Sequence, residues 1–411
     1  MMKQSVIGFQ KKLTPALLVA SVLAGANVSV ANAGSLAEAI SAGKVGVDLR
    51  YRYETVDQTG VTKEATASTL RTRLNYATGD YNDFSAFIEF DDVTAFGDIE
   101  YNDATGLATA QTTYPVVVDP EGSEVNQAKL IYKGLEETTL TLGRQRVILD
   151  NARFVGNVGW RQNEQTYDGL TVANTSLADT SIVYGYVSNV NRIFGEASSK
   201  GDIDTKTHLL NVSYSGLKAG KVTGYGYLLD LIDSPAASSS TLGLRFAGGT
   251  AVGDAVKALY TVEFATQSDY SDGASTIDAD YSLIEVGAKA SGITAKLGVE
   301  TLSGDGTYAF STPLATAHAF NGWADKFLAT PVNGLVDTYV KVVGKVSGVK
   351  LVGVYHDYAS DTGSTDYGTE LDLLAAKKIG NYTLLAKYAS YSADSFATDT
   401  DKLWLMGQAK F

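Results

Sequence analysis

The last eleven residues of the chain, Asp401–Phe411, read DKLWLMGQAKF and alternate in polarity up to the final ring. Every second position back from the end is apolar or small: Phe411, Ala409, Gly407, Leu405 and Leu403. Polar residues stand between them: Lys410, Gln408 and Lys402. A period of two is that of a β-strand whose two faces meet different surroundings. The sequence therefore predicts a terminal strand with one apolar face rather than a solvated tail.

The same alternation starts at Lys44 and recurs along the chain. The segment KVGVDLRYRYETV, residues 44–56, is followed by LRTRLNY (70–76) and FSAFIEFDD (84–92). Further strands are expected near 124–134, 137–147, 163–173, 179–190, 204–217, 220–232, 239–248, 254–267, 278–290, 293–303, 334–346, 348–358, 367–378, 381–392 and 400–411. This makes about eighteen strands, an even number, as single-chain bacterial outer-membrane barrels have.

The connections between these strands alternate in length, with long ones at about 94–123, 148–162, 191–203 and 304–333. A soluble β-sandwich gives connections no reason to sort in this way. An all-β, transmembrane, antiparallel up-and-down barrel does, with short periplasmic turns and long extracellular loops. Because hydrocarbon leaves no partner for an open sheet edge, we expect 400–411 to pair antiparallel with 44–56.

The first 33 residues have the pattern of a secretory signal peptide. Three lysines precede an uncharged stretch that starts at Leu13, and Ala31-Asn32-Ala33 forms a small-x-small cleavage site. An amphipathic core helix fits poorly because the stretch has no polar face. We therefore expect residues 1–33 to be removed on export by the Sec route, and residues 34–411 to form a barrel in a bacterial outer membrane.

Composition narrows the chemistry. The net charge of −13 disfavours nucleic acid as a partner, and the absence of cysteine leaves neither disulfides nor thiolate metal sites. The three histidines lie on separate segments without metal-ligand spacing, so no enzyme activity and no cofactor are predicted. The acidic loop DIEYND, residues 98–103, is a candidate for binding a Ca²⁺ ion. Expected partners are lipids, lipopolysaccharide, small hydrophilic solutes and, through Phe411, the barrel assembly machinery.

An eighteen-stranded barrel is wide enough for a channel, so inward side chains determine function. If the first two hairpins are symmetric, two rungs form on the lumen face: Arg50–Arg73–Glu89 and Arg52–Arg71–Asp91. Facing like charges are unfavourable, so four arginines together suggest a wall that attracts anions. The alternative is a solvated ladder of ion pairs that only keeps the lumen polar.

The stretch LGRQRVILDNARFVGNVGWRQNEQTYDGLTV, residues 142–172, breaks the alternation. Leu142 faces lipid by parity, yet Arg144 and Arg146 share that parity. Either Gly143 marks a bulge that reorients the strand, or the strand leaves the wall there. Arg144, Arg146, Arg153 and Arg161, together with Trp160, are then expected in a loop folded into the mouth of the barrel.

This stretch resembles the alginate-export family of outer-membrane proteins, whose members carry a similar GRQ…R…G…W…QT(Y/F)DG pattern. The matching residues are Gly143, Arg144, Gln145, Arg153, Gly156, Trp160, Thr166, Asp168 and Gly169. The resemblance implies eighteen strands and an arginine-bearing lumen, which in that family is associated with passage of an anionic polysaccharide. Many relatives look like general porins, so it implies the fold more strongly than the cargo.

A second long loop, residues 304–334, is rich in aromatic and histidine side chains: Phe310, His318, Phe320, Trp323 and Phe327. Loops of this length are usually functional or disordered. His318, Phe320, Trp323 and Phe327, with Trp160, are candidates for a constriction or a sugar-stacking surface, and the alternative is a self-packed cap. The sequence as a whole favours a passive porin for small anionic or sugar-like solutes, over a dedicated exporter of an acidic polysaccharide such as alginate or a non-conducting structural or adhesive barrel.

Overall fold

The computed structural model describes residues 33–107 and 110–411, so the predicted signal peptide lies, apart from Ala33, outside the described residues. A short helix, α1 (Leu36–Ser41), precedes the first strand, and Ser35 caps it by accepting a hydrogen bond from the amide of Glu38. No helix in the described part of the chain is long and apolar enough to cross a membrane.

Eighteen antiparallel strands follow, in agreement with the predicted number. Their bounds are β1 Lys44–Gln58, β2 Ala65–Ala77, β3 Phe84–Ala95, β4 Gly122–Leu135, β5 Thr138–Gln145, β6 Thr166–Asn174, β7 Thr180–Asn191, β8 Asp202–Tyr214, β9 Gly220–Leu229, β10 Ser239–Val252, β11 Val256–Asp269, β12 Asp278–Ala290, β13 Ile293–Leu302, β14 Leu335–Val346, β15 Val349–Ala359, β16 Asp366–Ile379, β17 Tyr382–Ala393 and β18 Thr400–Lys410. Each strand pairs with the next one along the chain.

The barrel is closed by the strand that the C-terminal alternation predicts. β18 pairs antiparallel with β1 from Gln58↔Thr400 to Asp48↔Lys410. Val47 and Phe411 extend the ladder by exchanging two backbone hydrogen bonds of 3.0 and 2.9 Å. The predicted closure is confirmed, and with it the all-β, up-and-down barrel with short periplasmic turns and long extracellular loops.

The two faces of the wall differ as the alternation requires. On β1, the inward side chains of Arg52 and Glu54 are fully buried, whereas the outward Tyr51 is 42% exposed. On β11, the outward Val262 is half exposed, and its neighbour Thr261 is buried. Outward apolar side chains form a continuous lipid-facing surface, and polar side chains line the interior.

The register of the first two hairpins differs from the symmetric prediction by two residues. Arg50 faces Arg71 rather than Arg73, and Arg52 faces Thr69. In the second hairpin Arg73 faces Asp91, and Glu89 faces Asn75. A tight turn with positive φ at Asn82 and Asp83 sets this second register, since such turns fix which residues pair. Because the shift is even, every side chain keeps its predicted face.

Long extracellular loops fold back into the barrel. The β3–β4 loop (96–121), the β5–β6 loop (146–165) and the β13–β14 loop (303–334) all contribute buried residues. One apolar cluster runs from Tyr225 on the wall through Val155 and Phe310 of the loops to Tyr391 on the opposite wall. The extracellular half of the lumen is therefore packed, while a polar space remains at the periplasmic end.

Substitutions on adjacent residues of β11 test the assignment of faces. We expect Val262→Arg to lower the free energy of unfolding by about 2–4 kcal/mol, because it places a charge in the lipid layer. Thr261→Arg introduces the same side chain at the same depth but opposite Glu285 in the lumen, and should cost much less. Urea unfolding of the barrel in lipid vesicles measures both, and equal losses would contradict the assignment.

Candidate functional site

A polar cavity of about 600 Å³ lies at the periplasmic end of the lumen, beside the two chain ends of the barrel. We call it the vestibule. Strands β1 to β4 and β18 form its wall, and the β5–β6 loop forms its roof through residues such as Asn157, Gly159 and Glu164. Six basic side chains line it: Arg50, Arg71, Arg73, Lys129, Arg146 and Lys410. Three acidic side chains face them: Asp48, Glu89 and Glu164.

Arg73 is the most fully paired of the vestibule arginines. Its Nε and Nη2 atoms each lie 2.5 Å from a carboxylate oxygen of Asp91, in a bidentate pair. Its Nη1 lies 3.2 Å from Glu164 of the roof, and Nε lies 3.7 Å from Glu89. Asp91 and Glu89 thus hold Arg73 on the lumen wall in the shifted register.

Arg50 and Arg71 have fewer acidic partners. Arg50 donates to the backbone oxygens of Gly159 and Arg161 and to the side chain of Gln162, and it has no carboxylate within salt-bridge distance in the described chain. Arg71 donates to Asp48 at 3.0 Å, but its Nε is buried without a hydrogen bond. Positive charge in the vestibule therefore exceeds its local compensation.

Arg52 lies outside the vestibule. Its side chain is fully buried against Asp119 of the β3–β4 loop, with Nη1 and Oδ2 3.0 Å apart, and its guanidinium lies 4.4 Å from the centre of the Trp160 ring. The prediction placed it in a rung with Arg71, but the residue opposite is Thr69. Arg52 supports the inward loops instead of lining the open space.

The four arginines of the 142–172 stretch separate into three settings. Gly143 has φ of +118°, but β5 pairs with both neighbours through Gly143 without a register shift and ends two residues later, so the second predicted explanation applies. Arg144 forms a bidentate pair with Asp168 of β6 and a further bond to Glu196. By alternation from the inward Gln145, it lies on the outer face of the wall, so its predicted lumen position is wrong. The reason is that the strand leaves the wall only after Gln145.

Arg146 enters the lumen and joins the vestibule. It binds Glu164 through Nε at 2.8 Å and contacts Glu89 at 3.2 Å. Burial alone would raise the pKa of Glu164, but the charges of Arg146 and Arg73 hold it well below its ordinary value. Glu164 is therefore ionised at neutral pH and ties the roof of the vestibule to its wall.

Arg153 and Arg161 attach the β5–β6 loop to distant parts of the barrel. Arg153 binds Glu300 of β13 at 2.7 Å, and Arg161 binds Glu54 of β1 at 3.1 Å. Arg161 also reaches Asp325 of the β13–β14 loop at 3.1 Å. Burial opposes the charge of Arg161, but Glu54, Asp119 and Asp325 raise its pKa. Both side chains thus join loops to wall rather than offering free charge.

All three tryptophans of the chain meet around one lysine, in what we call the tryptophan cluster: Trp160, Trp323, Trp404, Lys387 and His318. The ammonium of Lys387 lies 4.1 Å from the Trp160 ring centre and 3.9 Å from that of Trp323. Trp160 stacks on His318 with 5.1 Å between ring centres and meets Trp404 edge-on at 5.8 Å. The cluster joins the β5–β6 and β13–β14 loops to β17 and β18.

His318 is the polar centre of the tryptophan cluster. Burial lowers its pKa to about 3, so the ring is neutral at physiological pH. In that form Nδ1 donates to Asp325 at 2.5 Å, and Nε2 accepts from Lys387 at 2.6 Å. Burial alone would raise the pKa of Asp325, but His318, Lys402 and Arg161 hold it well below its ordinary value.

The remaining aromatic candidates are also engaged within the protein. Phe320 lies against the guanidinium of Arg153 at 5.0 Å. Phe327 packs on Tyr358 with 4.4 Å between ring centres and on Phe396 at 5.2 Å. The β13–β14 loop is thus packed inside the lumen and narrows it, and these contacts occupy its rings.

The sequence of this barrel matches a known protein family. The model of the family described as alginate export matches residues 42–279, which is more than half of the chain. The chain belongs to the alginate export family. A comparison with curated protein sequences finds no significant match.

Solved structures resemble this alginate-export-family barrel over nearly its whole length. OccK9 (OpdG) of Pseudomonas aeruginosa has a TM-score of 0.69 at 14% identity, covering 91% of this chain and 99% of that one. OccAB2 of Acinetobacter baumannii has a TM-score of 0.69 at 16% identity, covering 91% of this chain and 99% of that one. OpdK of P. aeruginosa, solved with vanillate, has a TM-score of 0.69 at 13% identity, covering 90% of this chain and 99% of that one. At these identities the likeness establishes the fold.

The fold of this family member is therefore that of an outer-membrane porin barrel. Sequence reasoning missed several residues that organise its lumen, notably Trp404, Asp119 and Asp325. Trp404 shares the inward parity of Lys402, which was a usable signal. Asp119 and Asp325 lie in loops without periodicity, so no local pattern indicates their partners. In the described part of the chain, no three His, Asp or Glu side chains are arranged to hold a metal, and Ca²⁺ at 98–103 stays a prediction.

Acidification should loosen the tryptophan cluster. His318 takes up no proton in the packed state until about pH 3, but an opened loop would bind one near pH 6.5. The stability of the packed state is thus complete above pH 6.5 and falls by about 1.4 kcal/mol per unit as pH drops towards 3. Because every tryptophan of the chain belongs to the cluster, acrylamide quenching of the emission should increase from pH 7 to pH 4.5.

His318→Gln should remove this dependence, since no proton is taken up between pH 6.5 and 4.5 at that position. The matched control is His208→Gln, because His208 lies on the wall beside Tyr184 and Tyr186, away from the tryptophans. Quenching that is independent of pH in the native protein would contradict the assigned role of His318.

Proposed function

We propose that this barrel is a passive channel that favours small anionic solutes, and that the vestibule is its selectivity region. The excess of basic over acidic side chains in the vestibule is the observation that carries the proposal. Charged rings on a pore wall raise the local concentration of counter-ions and set ionic preference. The overall negative charge of the chain does not oppose this, because ionic preference depends on the charges that line the route.

The degree of pairing supports anion binding over a neutral ladder. Arg73 and Arg146 are compensated by Asp91, Glu89 and Glu164. Arg50 binds only neutral groups, and the buried Nε of Arg71 lacks an acceptor. A carboxylate or phosphate is the chemical group that would satisfy such guanidinium atoms.

The structural relatives are consistent with this class of solute. OpdK of Pseudomonas aeruginosa has been solved with vanillate, which is a small carboxylate. The arginines of β1 and β2, rather than the relatives, are the basis of the proposed preference.

Passage of an acidic polysaccharide is the second candidate, favoured by the match to the alginate export family. Against it, two loops cross the lumen and are fixed there by buried pairs. Arg153–Glu300 and Arg161–Glu54 hold the β5–β6 loop, and Lys402–Asp325 holds the β13–β14 loop. A polymer would need these loops to leave the lumen, whereas a small solute needs only local opening. We therefore place small anionic solutes first.

Export and assembly belong to the same proposal. Residues 1–33 would direct the chain through the Sec route and be removed. The last strand, which ends on the outward Phe411, would be read by the barrel assembly machinery. Lipids would contact the apolar outer face, and lipopolysaccharide the extracellular rim.

Two incompletely compensated vestibule charges test the selectivity: Arg71, whose Nε lacks an acceptor, and Lys129, whose ammonium donates to the neutral Gln127. We expect Arg71→Gln combined with Lys129→Gln to lower the anion-to-cation permeability ratio by about twofold or more, because the wall loses two positive charges. Reversal potentials of planar bilayers in a potassium chloride gradient measure the ratio. Lys377→Gln with Lys378→Gln removes the same charge at the exposed end of β16, away from the vestibule lining, and should leave the ratio unchanged. Normal conductance with an unaltered ratio in the vestibule variant would disprove the anion preference.

Solute size separates the two candidate functions. In liposome swelling, we expect galacturonate to enter and long oligogalacturonates of the same charge per sugar to be excluded, because the loops limit the cross-section. Passage of the long oligomers would favour the polysaccharide exporter. A correctly folded barrel without any conductance would favour a structural or adhesive role instead.

A further inference from the structure

A second cavity, of about 510 Å³, lies at the extracellular end of the barrel and is separate from the vestibule. We call it the outer cavity. Three connections surround it: the β3–β4 loop with the first residues of β4, the β7–β8 loop (192–201), and the β5–β6 loop at Asn163. The loops are tied together, since Ser198 donates to the backbone oxygen of Thr105 at 2.7 Å. Its volume is in the range of ordinary small-molecule sites.

The charge of the outer cavity is opposite to that of the vestibule. Four carboxylates line it, Asp103, Glu121, Glu124 and Glu196, and no lysine or arginine does so among the described residues. Asp103 is oriented by two hydrogen bonds from Thr105, and Glu121 accepts from the amide of Ala95 at 2.9 Å. The carboxylates are therefore held in place by the loops rather than neutralised by them.

Glu124 is the carboxylate with the least compensation. Of the nearby cations, Arg144 is 3.0 Å from Glu196 and bidentate to Asp168, and Lys200 donates to the backbone oxygen of Ala104 at 3.1 Å. Neither of these cations lines the cavity. Glu124 itself forms no salt bridge within residues 33–107 and 110–411. A buried or half-buried carboxylate without a partner is unfavourable unless a cation is supplied.

Asn163 gives an independent indication that a ligand belongs here. It lines the cavity and is 2% exposed, yet its Oδ1 has no hydrogen-bond donor in the described protein. Buried polar atoms without a partner are rare, and an unfilled site is one of the regular explanations. An amide oxygen beside carboxylates is an acceptor for N–H groups, which adds to the preference for a donor-bearing cation.

We propose that the outer cavity binds a small organic cation with an ammonium or guanidinium group, held by Glu124 and Asn163. A bare metal ion fits less well, because the carboxylates are spread around the cavity and no three acidic or histidine side chains converge in the described residues. The N–H groups of an organic cation can reach acceptors that are far apart. The binding site is independent of the proposed anion preference of the vestibule, and either can fail without the other.

Agmatine, which carries both cationic groups, is a suitable probe. Calorimetric titration of the folded, detergent-solubilised barrel at low salt should detect its binding. We expect Glu124→Gln to weaken the affinity about tenfold, the effect of losing about 1.4 kcal/mol from one charged contact. Asn163→Ala should also weaken it. Asp272→Asn removes an exposed carboxylate from another extracellular loop and should have no effect.

Two results would overturn the proposal. One is the absence of agmatine binding to native protein, or equal affinity in the Glu124→Gln variant with an intact barrel. The other is calcium chloride binding that depends on Glu124 when agmatine does not bind, which would make the cavity a metal site. Heat-dependent electrophoretic mobility of each variant verifies that the barrel is folded before titration.

Discussion

The requirement that every backbone N–H and C=O in the hydrocarbon layer be paired within the protein determines this structure. Only a closed ladder meets it, and the pairing of β18 with β1 closes the ladder down to Val47 and Phe411. Closure with eighteen strands fixes a circumference too large for wall side chains to fill. The interior must then be filled by loops or by water, and this protein uses both, at opposite ends.

The charged side chains of the loops that fill the lumen need partners, and side chains of the wall supply them. Loop backbone groups and arginines lose water when they enter the barrel, and a buried charge without a partner is strongly destabilising. Glu300 and Glu54 on the wall meet Arg153 and Arg161 of the β5–β6 loop. Lys387 and Lys402 on the wall meet His318 and Asp325 of the β13–β14 loop. The loops therefore occupy defined positions because charged wall side chains pair with charged or polar side chains of the loops.

The strands of the wall and their inward and outward faces could be predicted from the sequence, because a period of two is a local signal that repeats. The sequence was insufficient for pairings that depend on turn geometry. The β1–β2 register places Arg73 opposite Asp48 instead of Arg50, and the Asn82–Asp83 turn places it opposite Asp91 instead of Glu89, yet its face is unchanged. Arg144 was misplaced because parity alone does not reveal where a strand leaves a sheet. The buried loop partners lie more than a hundred residues apart, as with Arg161 and Glu54, and no spacing rule connects them.

The departure of β5 from the wall also explains why two cavities of opposite charge lie so close together. Beyond Gln145 the chain crosses into the lumen and returns through residues 161–165 to begin β6. Along this returning segment, Asn163 lines the outer cavity and the next residue, Glu164, lines the vestibule. These two neighbouring side chains face different spaces, so one short segment serves as the wall of both. Its position is held by Glu164 with Arg73 and Arg146 on the inner side. The partition between the basic vestibule and the acidic outer cavity is therefore a single stretch of chain, and the arginines of the vestibule fix it in place.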